Sequence, residues 1–220
     1  MARGDLSMNR ILGASSHALD ERADLDLYVT PPMMVYELDR KLKENGFEIA
    51  QNVWEPAVGK KHISNKIREL YPNINIKESD IINRGDDTIE ELDFLKYDGE
   101  KFDGDIITNP PYKFANDFYK KSCESITDGH WVWMFVKIQF LETQARYELF
   151  QKYRPNVILA CARRTECGKD GKLKDDWGTG GIVMYCWVGH QVGTGSNHPT
   201  YFDWINTEKH QDKENGESLF

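Results

Sequence analysis

An apolar strand pattern and a proline-stiffened turn adjoin in the stretch FDGDIITNPPY, residues 102–112. A strand is predicted over residues 102–108 and a helix over residues 114–125. Between them Pro110 and Pro111 end the strand, because proline lacks a backbone N–H and fixes φ. The stretch therefore predicts a strand–turn–helix unit, with a polar and an aromatic residue on the two sides of the proline pair.

The same alternation of strands and helices continues on both sides of this unit. Further helices are predicted over residues 33–45, 63–70 and 141–153, and further strands over residues 52–55, 74–79, 131–136, 156–161 and 181–188. Such alternation requires crossover connections and predicts a largely parallel sheet with helices on both faces. Ligands of such sheets bind at the carboxyl ends of the strands. The chemistry is therefore expected at residues 55–59, Asp80 and residues 109–112.

The length of the chain, 220 residues, fits one domain with a sizeable core. We expect a flexible N-terminal segment over residues 1–23, one domain over residues 24–206 and a polar tail over residues 207–220. No C-x-x-C pair occurs among the four cysteines, which favours reduced thiols over zinc ligands or disulfides. The most apolar stretch, residues 131–141, is too short to cross a bilayer, and no secretory signal pattern is seen, so a cytoplasmic protein is expected.

The charge of the chain limits how it can meet a nucleic acid. The sequence has 28 basic and 36 acidic residues, a net charge of −8, which argues against binding through overall positive charge. Two local clusters of basic residues are candidates for phosphate contact, each with a solvated surface as the alternative. The first is a basic loop with Arg163, Arg164, Lys169, Lys172 and Lys174, and the second, the basic helix cluster, has Lys60, Lys61, Lys66 and Arg68.

The tetrapeptide NPPY at residues 109–112 resembles the catalytic motif of S-adenosylmethionine-dependent amino methyltransferases, above all DNA adenine-N6 methyltransferases and their small phage-like members. Other segments match the same family in the same order along the chain. They are residues 28–32, 54–59, 79–81 and 93–95, followed by residues 140–142 with Arg146. The resemblance implies an α/β, Rossmann-like class I methyltransferase fold, with a mostly parallel seven-stranded sheet, helices on both faces and an antiparallel last strand.

The resemblance also implies a reaction, in which a methyl group passes from S-adenosyl-L-methionine to N6 of an adenine flipped out of double-stranded DNA. The implied catalytic residues are Asn109, Pro110, Pro111 and Tyr112. The implied cofactor-binding residues are Tyr28, Thr30, Pro31, Glu55, Pro56, Ala57, Gly59, Asp80, Ile81, Asp93, Phe94 and Asn109. Lys113 and the basic loop are the candidates for DNA contact, and no metal is implied.

The chemistry of an exocyclic amine explains the residue types of the tetrapeptide. Such an amine is a poor nucleophile, because its lone pair is delocalised into the ring. Two acceptors, the side-chain oxygen of Asn109 and the carbonyl oxygen of Pro110, would hold the two amine hydrogens and draw the nitrogen toward sp³ geometry. The ring of Tyr112 offers a face on which a flat base can stack. A proline-stiffened turn with no ligand is the alternative interpretation of the same residues.

The turn after the first strand and the end of the second suit a cofactor in physical terms. Gly59 lets the backbone approach a ligand, and the N–H groups at a helix start favour a carboxylate. Glu55 would face the amino group of the cofactor, and Asp80 would accept both hydroxyls of its ribose. The alternatives are structural, namely a helix-entry turn at Gly59 and a helix cap at Asp80.

Lys60 and Lys61 stand where many related enzymes carry a second small residue, two positions after the first glycine. A lysine at position 61 either points outward or crowds the cofactor, and the second case would leave a non-catalytic binding module. RNA adenine and a protein glutamine amide stay open as substrates, since both present a planar nitrogen like that of DNA adenine. A homodimer or a recognition partner also stays open, because the chain has no long insertion to recognise a target.

Overall fold

The computed structural model of the chain describes residues 28–83, 85–162 and 183–206. Its α-helices are α1 (Pro32–Glu44), α2 (His62–Leu70), α3 (Ala115–Ser125) and α4 (Gln144–Lys152). Its strands are β1 (Asn52–Glu55), β2 (Asn75–Asp80), β3 (Glu90–Glu91), β4 (Asp105–Thr108), β5 (Trp131–Lys137), β6 (Val157–Cys161), β7 (Tyr185–Gln191) and β8 (Tyr201–Ile205). Short 3-10 helices span Phe94–Lys96, Tyr112–Phe114 and Ile138–Leu141.

The described strands form one sheet in the order β3-β2-β1-β4-β5-β7-β6-β8. Strand β7 runs antiparallel to both β5 and β6, and every other neighbouring pair is parallel. The predicted largely parallel sheet is confirmed, but it differs in two details. It has eight strands in the described part of the chain instead of seven, and the antiparallel strand is followed by β8, which pairs in parallel with β6. Strand β8 lies at the sheet edge, where most of its residues are exposed, and Asp203 interrupts its short run of aromatic and apolar residues, unlike the continuous apolar run of the inner strand β5.

Helices cover both faces of the sheet, as predicted. On one face α1 buries Met34, Leu38 and Leu42, the three residues that its four-residue spacing places together. Adjacent residues of β4, Ile106 and Ile107, belong to different core clusters, because neighbouring side chains of a strand point to opposite faces. Full burial of such a side chain contributes about 1.5–3 kcal/mol, so the sheet is held from both sides.

The strand that precedes the tetrapeptide is shorter than predicted. Residues 102–108 were expected in it, but β4 begins at Asp105. The backbone at Gly104 lies so close to β1 that no side chain would fit there, since a Cβ at this position would lie 2.3 Å from the carbonyl oxygen of Asn52. The glycine therefore permits the close approach of two chain segments where β4 starts.

Two further predicted elements are shifted or divided. The helix predicted over residues 141–153 is divided into a 3-10 helix and α4, because Thr143 between them has a positive φ of 87°. The last strand, predicted over residues 181–188, is observed as β7 from Tyr185 onward, and residues 181–182 lie outside the described residues. Both differences leave the order of the elements unchanged.

The carboxyl ends of β1, β2, β4 and β5 meet at one edge of the sheet, because these strands are parallel to one another. This edge, here called the site edge, carries Glu55, Asp80, Asn109 and Lys137. The predicted chemical residues of three strands are therefore brought to one side of the sheet.

The cysteines within the described ranges, at positions 123, 161 and 186, are buried, whereas Cys167 lies outside these ranges. Burial raises the pKa of Cys186 to about 12, so its thiol stays protonated. Across the described segments, no three His, Cys, Asp or Glu side chains gather as metal ligands would. No helix in these segments is long and apolar enough to span a membrane.

Candidate active site

The tetrapeptide leads from β4 directly into a helical segment at the site edge. Pro111 has an extended conformation, with φ −58° and ψ 122°, and its carbonyl oxygen accepts the backbone N–H of Phe114 at 2.9 Å. This bond closes the 3-10 helix Tyr112–Phe114, which continues into α3. Two consecutive prolines fix the backbone φ angles here, so the backbone that carries the side chains of Asn109 and Tyr112 is held in place.

The side chain of Asn109 is oriented by the N-terminal segment. Its Nδ2 donates to the carbonyl oxygen of Tyr28 at 3.0 Å, a contact between residues 81 positions apart. A carbonyl oxygen can only accept, so the amide nitrogen must face it and Oδ1 must face away. Oδ1 is buried and has no hydrogen-bond partner among the residues that the structure describes. The site edge therefore contains an oriented acceptor that lacks a donor.

Two threonine hydroxyls near this amide have the same property. Thr30 Oγ1 and Thr108 Oγ1 are buried and, within the described segments, make no hydrogen bond. Thr108 directly precedes Asn109, and Thr30 lies two residues after Tyr28, whose carbonyl oxygen bonds to Asn109. Buried polar atoms are nearly always paired, so a group of such atoms at one edge indicates a place for a polar ligand.

Aromatic rings surround the tetrapeptide. The ring of Tyr112 lies 4.9 Å from the ring of Tyr28, with an interplanar angle of 40°, and 6.2 Å from the ring of Tyr185 on β7. The ammonium of Lys137 lies 4.4 Å from the centre of the Tyr112 ring and 5.4 Å from that of Tyr28. We call Tyr28, Tyr112, Tyr185 and Lys137 the tyrosine–lysine cluster.

Glu55, at the end of β1, orders the start of α2. It is 2% exposed, and its Oε2 accepts the backbone N–H of Ser64 at 3.0 Å. Burial raises the pKa of Glu55 well above the usual value for a carboxyl group, although the hydrogen bonds from Ser64 oppose this shift. The first turn of a helix has unpaired N–H groups, so this carboxyl group acts as a cap supplied by a neighbouring strand.

Gly59 and Asp80 connect the turn after β1 to the end of β2. Gly59 has a positive φ of 53°, and its N–H donates to Asp80 Oδ2 at 2.8 Å. Asp80 Oδ1 accepts the N–H of Ile82 at 3.1 Å. A carboxylate offers about four acceptor positions, so a carboxyl group that caps backbone N–H groups can also accept from a ribose hydroxyl. The predicted binding of a ribose by Asp80 is therefore compatible with the structural alternative, in which its carboxyl group caps backbone N–H groups.

Lys61 adopts the backbone conformation that favours glycine, with a φ of 62°. Its ammonium lies 3.1 Å from Glu78 and 2.7 Å from Asp86. These two ion pairs direct the side chain onto β2 and the loop after it. The lysine that replaces a second small residue is thus held against the end of β2 by two carboxylates.

The remaining predicted cofactor residues differ in exposure. Ile81 is 59% exposed, whereas Phe94 is 2% exposed and packs against Trp54 with ring centres 5.1 Å apart. The Phe94 side chain is therefore part of the core, whereas the neighbouring Asp93 is half-buried. Among the others, Pro31 and Pro56 are buried and Ala57 is half-buried.

Solved structures of other proteins share the fold of this chain. A Listeria monocytogenes protein assigned to the class I S-adenosylmethionine-dependent methyltransferases has a TM-score of 0.50 at 12% identity, over 79% of this chain and 62% of its own. The methyltransferase subunit of a type I restriction-modification system from Streptococcus thermophilus has 0.56 at 10%, over 89% and 54%. A Pyrococcus horikoshii protein, proposed to be an RNA methyltransferase, has 0.52 at 14%, over 83% and 95%. This chain has the class I methyltransferase fold.

The likeness to these proteins is one of fold. This chain spans less than two thirds of the Listeria and Streptococcus proteins. The sequence matches no protein-family model and no curated protein. The comparisons therefore show the fold of this chain and assign no role to the individual residues of the site edge.

The residues predicted to contact nucleic acid lie partly within and partly outside the described part of this methyltransferase fold. Lys113 is exposed beside the tetrapeptide. The residues of the basic loop, Arg163, Arg164, Lys169, Lys172 and Lys174, lie outside the described residues. In the basic helix cluster Lys61, Lys66 and Arg68 each pair with a glutamate, so carboxylates compete there with any phosphate.

Sequence analysis missed two members of the tyrosine–lysine cluster, Lys137 and Tyr185. Lys137 does interrupt the most apolar stretch of the chain at the end of β5, and a charge at the carboxyl end of a parallel strand is a usable signal. Tyr185 gives no such signal, because it lies within an apolar strand and is buried.

Proposed function

We propose that this chain is an S-adenosyl-L-methionine-dependent methyltransferase that modifies N6 of adenine in DNA. The observation that carries the proposal is the buried Oδ1 of Asn109, an acceptor turned away from Tyr28 and without a donor in the described part of the chain. Leaving a buried acceptor unpaired costs about 1–3 kcal/mol. That cost is explained if the amine of the substrate provides the missing hydrogen bond.

The residues around the site edge suit the cofactor. Asp80 places a carboxylate, which accepts hydrogen bonds from hydroxyl groups, at the end of β2, and Gly59 permits close approach of a ligand to the backbone. Thr30 contributes a buried hydroxyl that lacks a hydrogen bond within the described residues. When bound, S-adenosyl-L-methionine supplies a methyl group on a cationic sulfonium.

The tetrapeptide positions the amine that receives the methyl group. Asn109 accepts one amine hydrogen through Oδ1 and is kept from rotating by its bond to Tyr28. The carbonyl oxygen of Pro110 accepts the second hydrogen, which localises the nitrogen lone pair for in-line attack. One preorganised donor or acceptor at such a site is worth about 2.7–4 kcal/mol of the barrier. Tyr112 holds the plane of the base by stacking.

The half-buried tyrosine rings at the site support a flat aromatic substrate over a glutamine amide. The rings of Tyr28 and Tyr112 lie 4.9 Å apart, and stacking of a base on such a ring contributes about 1–3 kcal/mol. The Streptococcus fold neighbour belongs to a restriction-modification system, which supports DNA. The Pyrococcus neighbour keeps RNA adenine as the second candidate.

A methyl-transfer assay with labelled S-adenosyl-L-methionine tests the proposal. The substrates are DNA, total RNA and soluble protein from a methylation-deficient bacterial host. Asn109→Ala is expected to lower transfer to DNA by about 10²–10³-fold, while cofactor affinity by calorimetry stays within about threefold. The matched control is Asn73→Ala, since Asn73 is exposed just before the start of β2, at the end of that strand opposite the site edge.

Each alternative gives a distinct result in this assay. Label that enters only RNA or only protein would contradict the DNA proposal while keeping the methyltransferase chemistry. Equal rates for Asn109→Ala and the unmutated chain would remove the assigned role of the tetrapeptide. An unmutated chain that binds no S-adenosyl-L-methionine in the presence of DNA would indicate a non-catalytic module.

A further inference from the structure

Arg146, in the first turn of α4, connects the chain after β4 to the chain after β5. Its Nε donates to Asn116 Oδ1 at 3.0 Å, and Asn116 lies in the first turn of α3, four residues after Tyr112. Its Nη1 donates to the carbonyl oxygens of Gln139 and Glu142 at 2.7 and 3.3 Å. Both segments follow the carboxyl ends of parallel strands, so Arg146 lies at the site edge.

The positive charge of Arg146 is not neutralised by a carboxylate. Within the described ranges it forms no ion pair, unlike Arg40 and Arg68, which each bond to a glutamate. Its bonds use the N–H groups of Nε and Nη1, and those of Nη2 have no acceptor among the described residues. Burial lowers the pKa of Arg146, and the charge of Glu142 opposes this shift. Arginine stays charged at neutral pH, so the site edge holds a cation with open donors.

The guanidinium of Arg146 is also held in place. Its central carbon lies 5.1 Å from the centre of the ring of Phe140, a buried residue. Together with the hydrogen bonds on two of its nitrogens, this contact limits the rotation of the side chain. A side chain that is already ordered loses less entropy when it binds a ligand. Arg146 is therefore preorganised to bind an anion.

A second cation lies at the start of α3. Lys113 directly follows the tetrapeptide and is exposed, and its ammonium lies 5.1 Å from the centre of the Phe114 ring. It forms no ion pair within the described segments, although Asp117 lies four residues further along the chain. Lys113 is three residues from Asn116, the partner of Arg146. Two cations without a carboxylate partner in the described structure thus flank the beginning of this helix.

A nucleic acid brings anions to this place. Each nucleotide of a DNA strand carries a phosphate, so a strand whose adenine enters the site has phosphates beside the tetrapeptide. Charge-assisted hydrogen bonds from arginine and lysine to phosphate are strong, and they position a strand without reading its sequence. The net charge of the chain is −8, so local cations have to provide this attraction.

We propose that Arg146 and Lys113 bind backbone phosphates of the DNA strand that carries the extruded adenine. This inference rests on the proposed function and states how an acidic chain holds its substrate. The site thereby favours an adenine within a phosphodiester chain over an isolated nucleoside or a glutamine amide.

The salt dependence of DNA binding measures phosphate contacts. The experiment titrates a short fluorescein-labelled DNA duplex of mixed sequence with the full chain and follows fluorescence anisotropy over a range of salt concentrations. Each contact contributes about 0.9 to the steepness of log affinity against log salt concentration. Lys113→Gln and Arg146→Met are each expected to reduce that steepness by about 0.9.

Two controls separate charge from structure. Arg146→Lys keeps the charge but loses the planar guanidinium that connects the two segments, so it is expected to retain the slope. Lys101→Gln is matched to Lys113→Gln and is expected to leave the slope unchanged. Lys101 is also exposed and has no ion pair in the described part of the chain, but it precedes β4, opposite the site edge.

Thermal unfolding checks that each variant is folded. If Arg146→Met does not fold, Lys113→Gln decides the outcome alone, since the Lys113 side chain makes no hydrogen bond within the described residues. An unchanged slope in either folded variant overturns the inference. An equal loss of slope in Arg146→Lys and Arg146→Met also overturns it, because the slope would then follow the connection of the two segments and not the charge.

Methyl transfer to DNA by the unmutated chain tests the proposed function separately. A chain that methylates DNA while its variants keep the slope refutes the phosphate contacts and leaves the proposed function standing. Reduced slopes without methyl transfer to DNA would keep the contacts and refute the proposed function.

Discussion

Replacing Asn109 by leucine is expected to abolish activity without destabilising the protein. Leucine has a shape close to that of asparagine but no polar atoms. The substitution removes the hydrogen bond to Tyr28, worth about 0.5–1.5 kcal/mol, and also removes the buried Oδ1, whose lack of a partner in the described segments costs about 1–3 kcal/mol. The expected net change therefore lies between a loss of about 0.5 and a gain of about 2.5 kcal/mol in stability.

Thermal unfolding, followed by circular dichroism, measures this change, and each kcal/mol corresponds to about 2–4 °C in Tm for a chain of this size. Asn116→Leu is the matched control. Asn116 Oδ1 accepts Arg146 Nε at 3.0 Å, so this amide oxygen is satisfied, and its loss removes the acceptor of Nε while the other nitrogen of Arg146 keeps its bond to the carbonyl oxygen of Gln139. We expect the control to lower the free energy of unfolding by about 1–3 kcal/mol.

The comparison of the two variants decides whether the reasoning holds. If Asn109→Leu destabilises the protein as much as Asn116→Leu, then Oδ1 of Asn109 is satisfied in solution and is not reserved for a substrate. Retention of methyl transfer by Asn109→Leu would refute the catalytic role independently of stability.

Two further predictions concern the architecture that supports the site. Glu55→Gln should gain stability relative to the unmutated chain as pH rises. Burial raises the pKa of Glu55, so the protonated carboxyl group stabilises the unmutated chain at low pH, and this contribution is lost as the group ionises. Denaturant unfolding at several pH values measures the difference between the two chains, and a difference independent of pH would contradict the prediction. Gly189→Ala should destabilise by about 1–3 kcal/mol, because a Cβ there would lie 2.3 Å from the Trp133 ring; unfolding at neutral pH tests this, and an unchanged stability would show that the ring can move.

Much of the fold follows from local patterns in the sequence. Strand β1 has the predicted bounds, and α3 begins one residue after the predicted start. Both segments combine a clear apolar period with a distinct end signal, so local information is sufficient. Strand β8 was not predicted, because its side chains are mostly exposed and its position depends on pairing with β6.

The site could be located but not assembled from the sequence. The tetrapeptide and Asp80 were assigned to strand ends, and the structure brings both to the site edge. The bond between Asn109 and Tyr28 connects residues 81 positions apart, and Lys137 meets Tyr112 only because β5 lies beside β4. Such contacts depend on strand order, which residue spacing does not encode.

The most direct measurement is base-modification sequencing of DNA from a methylation-deficient bacterial host that expresses this chain, beside the same host with Asn109→Ala. The account predicts N6-methyladenine in a defined sequence context with the unmutated chain and none with the variant. Unmodified DNA from a host in which the unmutated chain is folded and binds S-adenosyl-L-methionine would contradict it.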